Sequence, residues 1–259
     1  MDWKSKKFFV LDMDGTFYRG EHLLEGSLDF IHRLTALGRD YLFFTNNSSK
    51  NSRRYAEKLN RMGLAAGPEK IITSGMVTLN WLSKNHPGKS IYLIGTPDFR
   101  EICIEAGLYL VEDGAQMVLV GFDTSTTYEQ MTRACDLIRE GALFVATHPD
   151  TTCPTESGFV PDAGAVCAFI SAATGGTKPV VLGKPYTPAM EYLLDTTGVS
   201  KEELVFVGDR LYTDIAIGAR HGVSTVLVLT GETRREDLAG SAVVPDLVVE
   251  RLVDLGDHL

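Results

Sequence analysis

Two aspartates one residue apart follow directly on a short apolar segment near the start of the sequence. Phe8-Phe9-Val10-Leu11 predicts a buried strand, and Asp12-Met13-Asp14-Gly15-Thr16 comes immediately after it. Two carboxylates about 4 Å apart repel each other by roughly 4 kcal/mol at an effective dielectric of about 20. Mg2+ removes this repulsion and requires few protein oxygens as ligands. The pair therefore predicts a metal site at a strand end, where open α/β sheets usually place their chemistry.

Two other interpretations apply to this segment. Asp-Gly is a common turn dipeptide, so a purely structural turn is the main alternative. An EF-hand loop also begins with alternating acids, but it has glycine at its sixth position and glutamate at its twelfth. Here the glycine, Gly15, is the fourth residue, and the twelfth is Leu23. The sequence therefore excludes an EF-hand and leaves the turn open.

Polar groups also follow two later predicted strands. The strand at 41–44 leads into Thr45-Asn46-Asn47-Ser48, where a helix is expected to begin after Ser48 or Ser49. The free backbone N–H groups and positive dipole of a helix start suit an anion, although these residues could simply cap the helix. The strand at 180–182 leads into Gly183-Lys184-Pro185, which supplies one cation or, alternatively, an ordinary surface lysine.

A fourth strand, at 204–207, is followed by Gly208-Asp209-Arg210-Leu211-Tyr212-Thr213-Asp214. Asp214 or Thr213 could be a helix N-cap, but Asp209 directly after a strand is harder to explain by structure alone. If these strand ends converge, four negative charges face the two positive charges of one Mg2+ and the one positive charge of Lys184. The negative charges belong to Asp12, Asp14, Asp209 and Asp214. That balance suits a carboxylate nucleophile that attacks a phosphate group.

The elements that must position these residues alternate between strands and helices, which predicts an α/β fold with a largely parallel sheet. A helix is expected at 26–37 and a strand at 40–45. The block at 75–179 has strands and helices of its own, and the glycine-rich segment 175–179 resembles an exit linker. We therefore expect residues 1–74 and 180–259 to form one domain and residues 75–179 to form an inserted second domain.

Composition and charge limit the function further. The 259 residues are 44% hydrophobic and 23% charged, as in ordinary globular proteins, and the net charge is −9. This charge argues against a protein that mainly binds nucleic acid, but it allows a small phosphorylated substrate at a local metal site. The four cysteines show no zinc-type spacing, and no apolar stretch is long enough for a signal peptide or a membrane span. We expect a reduced, cytoplasmic protein without a nucleic-acid or membrane partner.

Taken together, these motifs resemble those of the haloacid dehalogenase (HAD) superfamily of phosphohydrolases, over essentially the whole chain. The segment 12–16 resembles the first motif, Thr45 the second, Lys184 the third, and 208–214 the fourth. The insert resembles the large α/β cap of the NagD-like and p-nitrophenylphosphatase-like branch. Its Ala146-Thr147-His148-Pro149-Asp150 departs from the branch at His148, where asparagine is often found. The resemblance implies a Rossmann-like three-layer core with a parallel sheet plus an inserted α/β cap domain.

The resemblance also implies catalytic roles. Asp12 would attack phosphorus to form an aspartyl-phosphate, and Asp14 would protonate the leaving alcohol and then activate water. The carboxylates of Asp12 and Asp209 and the backbone carbonyl of Asp14 would bind Mg2+. Asp214 would orient Lys184 or a metal-bound water instead of binding the metal directly.

Substrate-binding roles follow from the same resemblance. Thr45, the backbone of Asn46 and Lys184 would hold the phosphate oxygens. In the cap, position along the chain suggests that His148 and Asp150, together with the turn at 159–162, face the substrate.

The expected function is therefore a Mg2+-dependent phosphatase of a small phosphorylated metabolite, with a sugar or sugar-acid phosphate as the expected substrate. A phosphotransferase or mutase that uses the same aspartyl-phosphate, and a catalytically silent metabolite-binding protein, are the alternatives. A homodimer formed through the cap is left open.

Overall fold

The computed structural model describes residues 3–155 and 158–259, which form two compact units. The first unit comprises the described residues up to Thr45, together with Ser52–Ile72 and Lys184–Leu259. The second unit comprises Asn46–Asn51 and Thr73–Gly183. The segment after Thr45 therefore packs with the inserted block, although the sequence analysis assigned it to the first domain. The division into a domain at 1–74 and 180–259 and an inserted domain at 75–179 stays a prediction.

Strands and helices alternate along most of the described residues. The strands are β1 (Phe8–Leu11), β2 (Tyr18–Arg19), β3 (His22–Leu23), β4 (Asp40–Thr45), β5 (Ile71–Thr73), β6 (Ser90–Ile94), β7 (Tyr109–Leu110), β8 (Met117–Val120), β9 (Leu143–Ala146), β10 (Thr152–Thr155), β11 (Gly158–Pro161), β12 (Val180–Val181), β13 (Leu204–Gly208), β14 (Ser224–Val228) and β15 (Leu247–Val249). The α-helices are α1 (Ser27–Ala36), α2 (Ser52–Arg61), α3 (Ser74–Asn85), α4 (Pro97–Glu105), α5 (Tyr128–Arg139), α6 (Ala163–Ala173), α7 (Thr187–Thr197) and α8 (Ala216–His221).

The sheet of the first unit has, among the described residues, the strand order β15-β14-β13-β1-β4-β5. The pairs of β1 with β4 and β13, and of β14 with β13 and β15, all run parallel. The central strands are buried along almost their whole length, as expected for a parallel sheet that is covered on both faces. Parallel pairing brings the carboxyl ends of β4, β1 and β13 to the same edge.

The sheet of the second unit has the order β12-β9-β8-β6-β7 within the described part of the chain, and its strand pairs are also parallel. A separate antiparallel hairpin joins β10 and β11. The buried core of the second unit is formed mainly by β6, β8, β9, α5 and α6. The predicted α/β class, with parallel sheets and a second α/β unit, is confirmed.

Two local predictions were wrong. The strand at 180–182 was expected among the strands of the first sheet, but β12 pairs with β9 in the second sheet, and Leu182 N–H donates to Ala146 O. The helix expected after Ser48 or Ser49 begins at Ser52 instead. Ser49 N–H is taken by the side chain of Asn47, which closes a local turn in place of the first helical turn.

No helix in the described ranges is long and apolar enough to cross a membrane. The four cysteines are free thiols, of which Cys103, Cys135 and Cys167 are buried. Burial raises the pKa of the Cys103 and Cys167 thiols to about 12, so these side chains are unreactive packing residues.

Candidate active site

The carboxyl-end edge of the first sheet collects most of the predicted site residues. Asp12 follows β1, Asp209 follows β13, and Thr45 is the last residue of β4. Asp12 N–H donates to Val207 O at 2.8 Å, which continues the β1–β13 pairing by one residue and fixes the Asp12 backbone beside β13. Parallel strand register thus brings together residues that lie almost two hundred positions apart in sequence.

Lys184 lies at the centre of this edge and is only 2% exposed. Its ammonium donates to Asp12 Oδ1 at 2.8 Å, to Asp214 Oδ1 at 2.6 Å and to Phe44 O at 2.7 Å. A lysine ammonium carries three hydrogens, and these bonds account for all of them. Lys184 is therefore a fixed internal cation and not the ordinary surface lysine that the sequence left open.

The charges of this cluster shift one another's ionisation. Burial alone would lower the pKa of Lys184, but the neighbouring Asp12 and Asp214 carboxylates raise it above its ordinary value. Burial raises the pKa of Asp12 to about 7, with Lys184 opposing the rise and Asp214 adding to it. Lys184 therefore stays charged, whereas Asp12 is held close to its ionisation point as long as no other cation is near.

Three carboxylates could share a cation at this edge. One oxygen from each of Asp12, Asp209 and Asp214 lies within 4.8 Å of the others. Asp209 is 2% exposed, and its Oδ2 accepts Glu232 N–H at 2.6 Å. Its Oδ1 is buried and has no hydrogen-bond partner among the described residues. Burial, followed by the charges of Asp12 and Asp214, raises the Asp209 pKa.

This donor set fits a hard divalent cation. A buried carboxylate oxygen without a donor is costly, and Mg2+ prefers oxygen ligands of this kind. Asp214 fits a direct ligand less well, because its Oδ1 accepts from Lys184 and its Oδ2 accepts Arg210 N–H at 3.2 Å. Asp12 and Asp209 are accordingly the carboxylates that could hold such a cation more readily than Asp214 could.

Glycines allow the backbone to approach these carboxylates closely. A Cβ on Gly231 would lie 1.8 Å from Asp209 Oδ2, and one on Gly15 would lie 2.6 Å from the same atom. A Cβ on Gly208 would lie 2.2 Å from Asp214 Cγ. Gly231 and Glu232 were missed by the sequence analysis. The signal for them is their place just beyond β14, which is the next strand along the same sheet edge.

A tight turn positions Asp14 beside the cluster. Phe17 N–H donates to Met13 O at 2.9 Å, and Gly15 N–H donates to Tyr18 O at 2.8 Å. Burial raises the pKa of the Asp14 carboxyl, and nearby positive charges oppose this rise. In decreasing order of effect, they belong to Lys58, Arg210 and Arg19. The Asp14 carboxylate is not part of the three-carboxylate group.

Thr45 and Asn46 stand on either side of a unit boundary. Thr45 is 8% exposed in the first unit. Asn46 is buried in the second unit, where its carbonyl accepts a hydrogen bond from Ser74 Oγ. In the same segment, Ser48 Oγ accepts Phe122 N–H at 3.1 Å, so the chain that follows Thr45 is fixed by the second unit.

His148 and Asp150 lie inside the second unit and are 0% and 4% exposed. One ring nitrogen of His148, Nδ1, pairs with Thr147 Oγ1 at 2.7 Å, and the other, Nε2, pairs with Asp162 Oδ1 at 2.8 Å. Asp162 also accepts Ala163 N–H at the start of α6. Because both ring nitrogens are already bonded, the geometry favours a positioning role for His148 over contact with a substrate. Although these side chains form a second potential ligand group, we assign no metal to it.

Comparison with known proteins gives two family matches, one in each half of the chain. The family described as "Haloacid dehalogenase-like hydrolase" matches residues 9–109, and a HAD-hydrolase-like family matches residues 181–255. An acid sugar phosphatase of Staphylococcus aureus is 37% identical over 243 residues, which is 93% of each chain.

Solved structures similar to this chain also include phosphatases. A 4-nitrophenylphosphatase from Thermotoga maritima is 41% identical and superposes with a TM-score of 0.93 over 98% of this chain and 97% of that one. NagD from Escherichia coli K-12 is 29% identical, with a TM-score of 0.87 over 96% of this chain and 98% of that one. These likenesses extend over both units.

Proposed function

Because the chain belongs to the haloacid dehalogenase-like hydrolases, we propose that it is a Mg2+-dependent phosphatase that hydrolyses a small phosphorylated metabolite through an aspartyl-phosphate. Its class, phosphoric monoester hydrolase, follows from the family and from the phosphatases among its relatives. One observation carries the proposal: the Lys184 ammonium bridges Asp12 and Asp214, while a buried oxygen of Asp209 lacks a donor.

Asp12 is the proposed nucleophile. Its side chain is 13% exposed, whereas those of Lys184 and Asp214 are 2% exposed, so Asp12 is the member of this trio that a substrate can reach. Lys184 holds one carboxylate oxygen of Asp12 and leaves the other for attack. In the first step an Asp12 oxygen–phosphorus bond forms and the ester oxygen–phosphorus bond breaks. The Lys184 charge offsets the charge of the incoming phosphate.

Asp14 is the proposed acid and base. It donates a proton to the leaving alkoxide in the first step. In the second step it accepts a proton from the water that attacks phosphorus, while the Asp12 oxygen–phosphorus bond breaks and releases phosphate and the free Asp12 carboxylate. Burial raises its pKa, which favours the protonated form that the first step requires. The turn through Met13 and Tyr18 fixes the backbone that carries this carboxyl.

The residues that would hold Mg2+ are the carboxylates of Asp12 and Asp209 and the backbone carbonyl of Asp14. When bound, the ion neutralises carboxylate and phosphate charge as a Lewis acid. Asp214 orients Lys184, and Thr45, the Asn46 backbone and Lys184 are the proposed phosphate ligands. Phosphoryl transfer needs mainly positioning and charge stabilisation, so this set is chemically sufficient.

The proposed substrate is a sugar or sugar-acid phosphate. The name of the Staphylococcus aureus relative, acid sugar phosphatase, supports this class. We propose that the first unit is the catalytic core and that the second unit is a cap that selects the substrate, with Asp150 as a candidate contact. A cytoplasmic location and a homodimer stay predictions.

The test is phosphate release from p-nitrophenyl phosphate and a panel of sugar phosphates, with Mg2+ and with chelator. Turnover that requires Mg2+ and is abolished in Asp12→Asn, but kept in the exposed-site control Asp257→Asn, supports the proposal. Transfer of phosphate to an added alcohol in preference to water would indicate the phosphotransferase alternative. A folded protein that binds Mg2+ but turns over no ester would contradict the proposal and leave the binding-protein alternative.

A further inference from the structure

A small hairpin fixes the position of the proposed acid–base residue. β2 and β3 pair antiparallel, with Tyr18 opposite Leu23. The hairpin is joined to the Asp14 turn by the Gly15 N–H bond to Tyr18 O and by a backbone bridge between Asp14 and Tyr18. A shift of Tyr18 therefore moves the Asp14 backbone, so whatever holds the hairpin also places Asp14.

Two strands of two residues each are not stable alone. Two cations attach this hairpin to other parts of the first unit: Arg19 within β2 and Lys58 from α2. Arg19 donates to Thr230 O, and Thr230 Oγ1 donates in turn to Gly15 O at 2.7 Å. From α2, the Lys58 ammonium lies 3.9 Å from the centroid of the Tyr18 ring and 3.5 Å from Glu21 in the hairpin turn.

Lys58 differs from the other basic residues of its helix. Its side chain is only 13% exposed. Arg53, Arg54 and Arg61 are all exposed, and the side chain of Arg61 is 65% exposed. Glu21 is 59% exposed, so its ion pair with Lys58 is screened and does not explain the burial of the lysine. A cation over a ring that is itself 2% exposed is a stronger contact, because both groups are largely shielded from water.

The positive charge of Lys58 also opposes the rise that burial causes in the pKa of Asp14. We propose that Lys58 is a positioning residue for Asp14, which it holds in place through the Tyr18 ring and the β2–β3 hairpin. The proposal rests on the proposed phosphatase function. In the step it affects, Asp14 gives its proton to the leaving oxygen as the ester oxygen–phosphorus bond breaks and the Asp12 oxygen–phosphorus bond forms. Small displacements of such a group cost rate steeply.

Leaving-group dependence separates this role from a general structural one. An alkyl phosphate such as glycerol phosphate needs a proton on its leaving oxygen, whereas p-nitrophenolate is a stable anion and needs little help. We expect Lys58→Met to lower kcat/KM for the alkyl phosphate at least about 10-fold more than kcat/KM for p-nitrophenyl phosphate. Lys58→Arg, which keeps the cation, should recover part of the loss.

The matched control is Arg53→Met, which removes one exposed positive charge from the same helix and should leave both substrates unaffected. Equal losses on both esters in Lys58→Met, no loss, or a Lys58→Arg variant as defective as Lys58→Met would each overturn the proposal. Should Lys58→Met melt far below the wild type, the same ratio is measured in Lys58→Gln and judged by the same criteria. A wild-type protein that hydrolyses neither ester would instead refute the phosphatase function itself.

Discussion

Replacement of Asp12 by asparagine should stabilise the metal-free protein while it abolishes turnover. The Asp12 carboxylate is largely buried near Asp214 and Asp209, and burial raises its pKa from 3.8 to about 7. Asparagine is nearly isosteric and does not ionise. Its amide oxygen still accepts from Lys184, and the Lys184 charge still pairs with Asp214. The substitution therefore removes a costly charge without leaving the lysine unpaired.

The magnitude follows from the pKa of Asp12. Because its folded-state pKa lies above the unfolded value, its stabilising contribution is complete below about pH 4 and is lost as the pH rises through about 7. The difference between 3.8 and about 7, at about 1.4 kcal/mol per pH unit, corresponds to on the order of 4 kcal/mol. The asparagine variant escapes this loss, so its advantage should approach that value at about pH 8 and fall to about 1 kcal/mol at about pH 4.5.

Differential scanning calorimetry in chelator at these two pH values measures the effect. In proteins of this size 1 kcal/mol shifts the melting temperature by about 2–4 °C, so a gain on the order of 4 kcal/mol should raise the melting temperature of the variant by about 8–16 °C at the upper pH. The control is Asp257→Asn, which changes a carboxylate that is 80% exposed and paired with Arg33, and it should change little at either pH. A variant that melts at or below the wild type at about pH 8, or a gap equal at both pH values, would refute the reasoning.

Three further substitutions address other parts of the structure. Gly231→Ala places a Cβ where it would lie 1.8 Å from Asp209 Oδ2, and it should raise the Mg2+ concentration for half-maximal activity at least about 10-fold; Gly240→Ala, with open space around it, should not. Lys184→Met leaves buried carboxylates facing each other without their cation, which should cost about 3–5 kcal/mol in unfolding free energy and abolish turnover. His148→Ala removes two buried hydrogen bonds and should lower the unfolding free energy by about 1–3 kcal/mol in urea titrations.

A specific result would contradict each of these three predictions. Equal Mg2+ dependence in the two glycine variants would show that the backbone near Asp209 yields without moving the carboxylate. A Lys184→Met protein as stable as the wild type would mean that its carboxylates become protonated at little cost. A His148→Ala protein with unchanged stability but altered substrate preference would return His148 to the role of a substrate contact.

Fold class was predictable because the alternation of apolar strands and amphipathic helices is a local property of the sequence. The errors arose where local signals compete with long-range pairing. The apolar side chains of Val180 and Val181 suit a strand in either parallel sheet. Their backbone pairing with β9 places them in the second sheet. Ser48 and Ser49 carry the residue types of a helix cap, but their polar groups are taken by Asn47, Phe122 and Thr147.

Candidate residues at strand ends were likewise predictable from the sequence, because open α/β sheets place their chemistry at the carboxyl ends of strands. The sequence did not reveal Lys58 or Gly231. Lys58 reads as one basic residue in a charge-rich helix, and Gly231 as one glycine in a loop. Their significance depends on what lies opposite them in space, namely the Tyr18 ring and Asp209 Oδ2.

The sequence alone determined the types of group available: two aspartates after β1, a lysine and a Gly-Asp after later strands, and the alternation that places strand ends at one edge. The tertiary structure decided what each group does. It buried Lys184 between Asp12 and Asp214, left Asp209 Oδ1 without a donor, and enclosed His148. The physical reason is that burial and the identity of a partner across the fold set the charge and reach of an ionisable group, and neither is encoded in its neighbours along the chain.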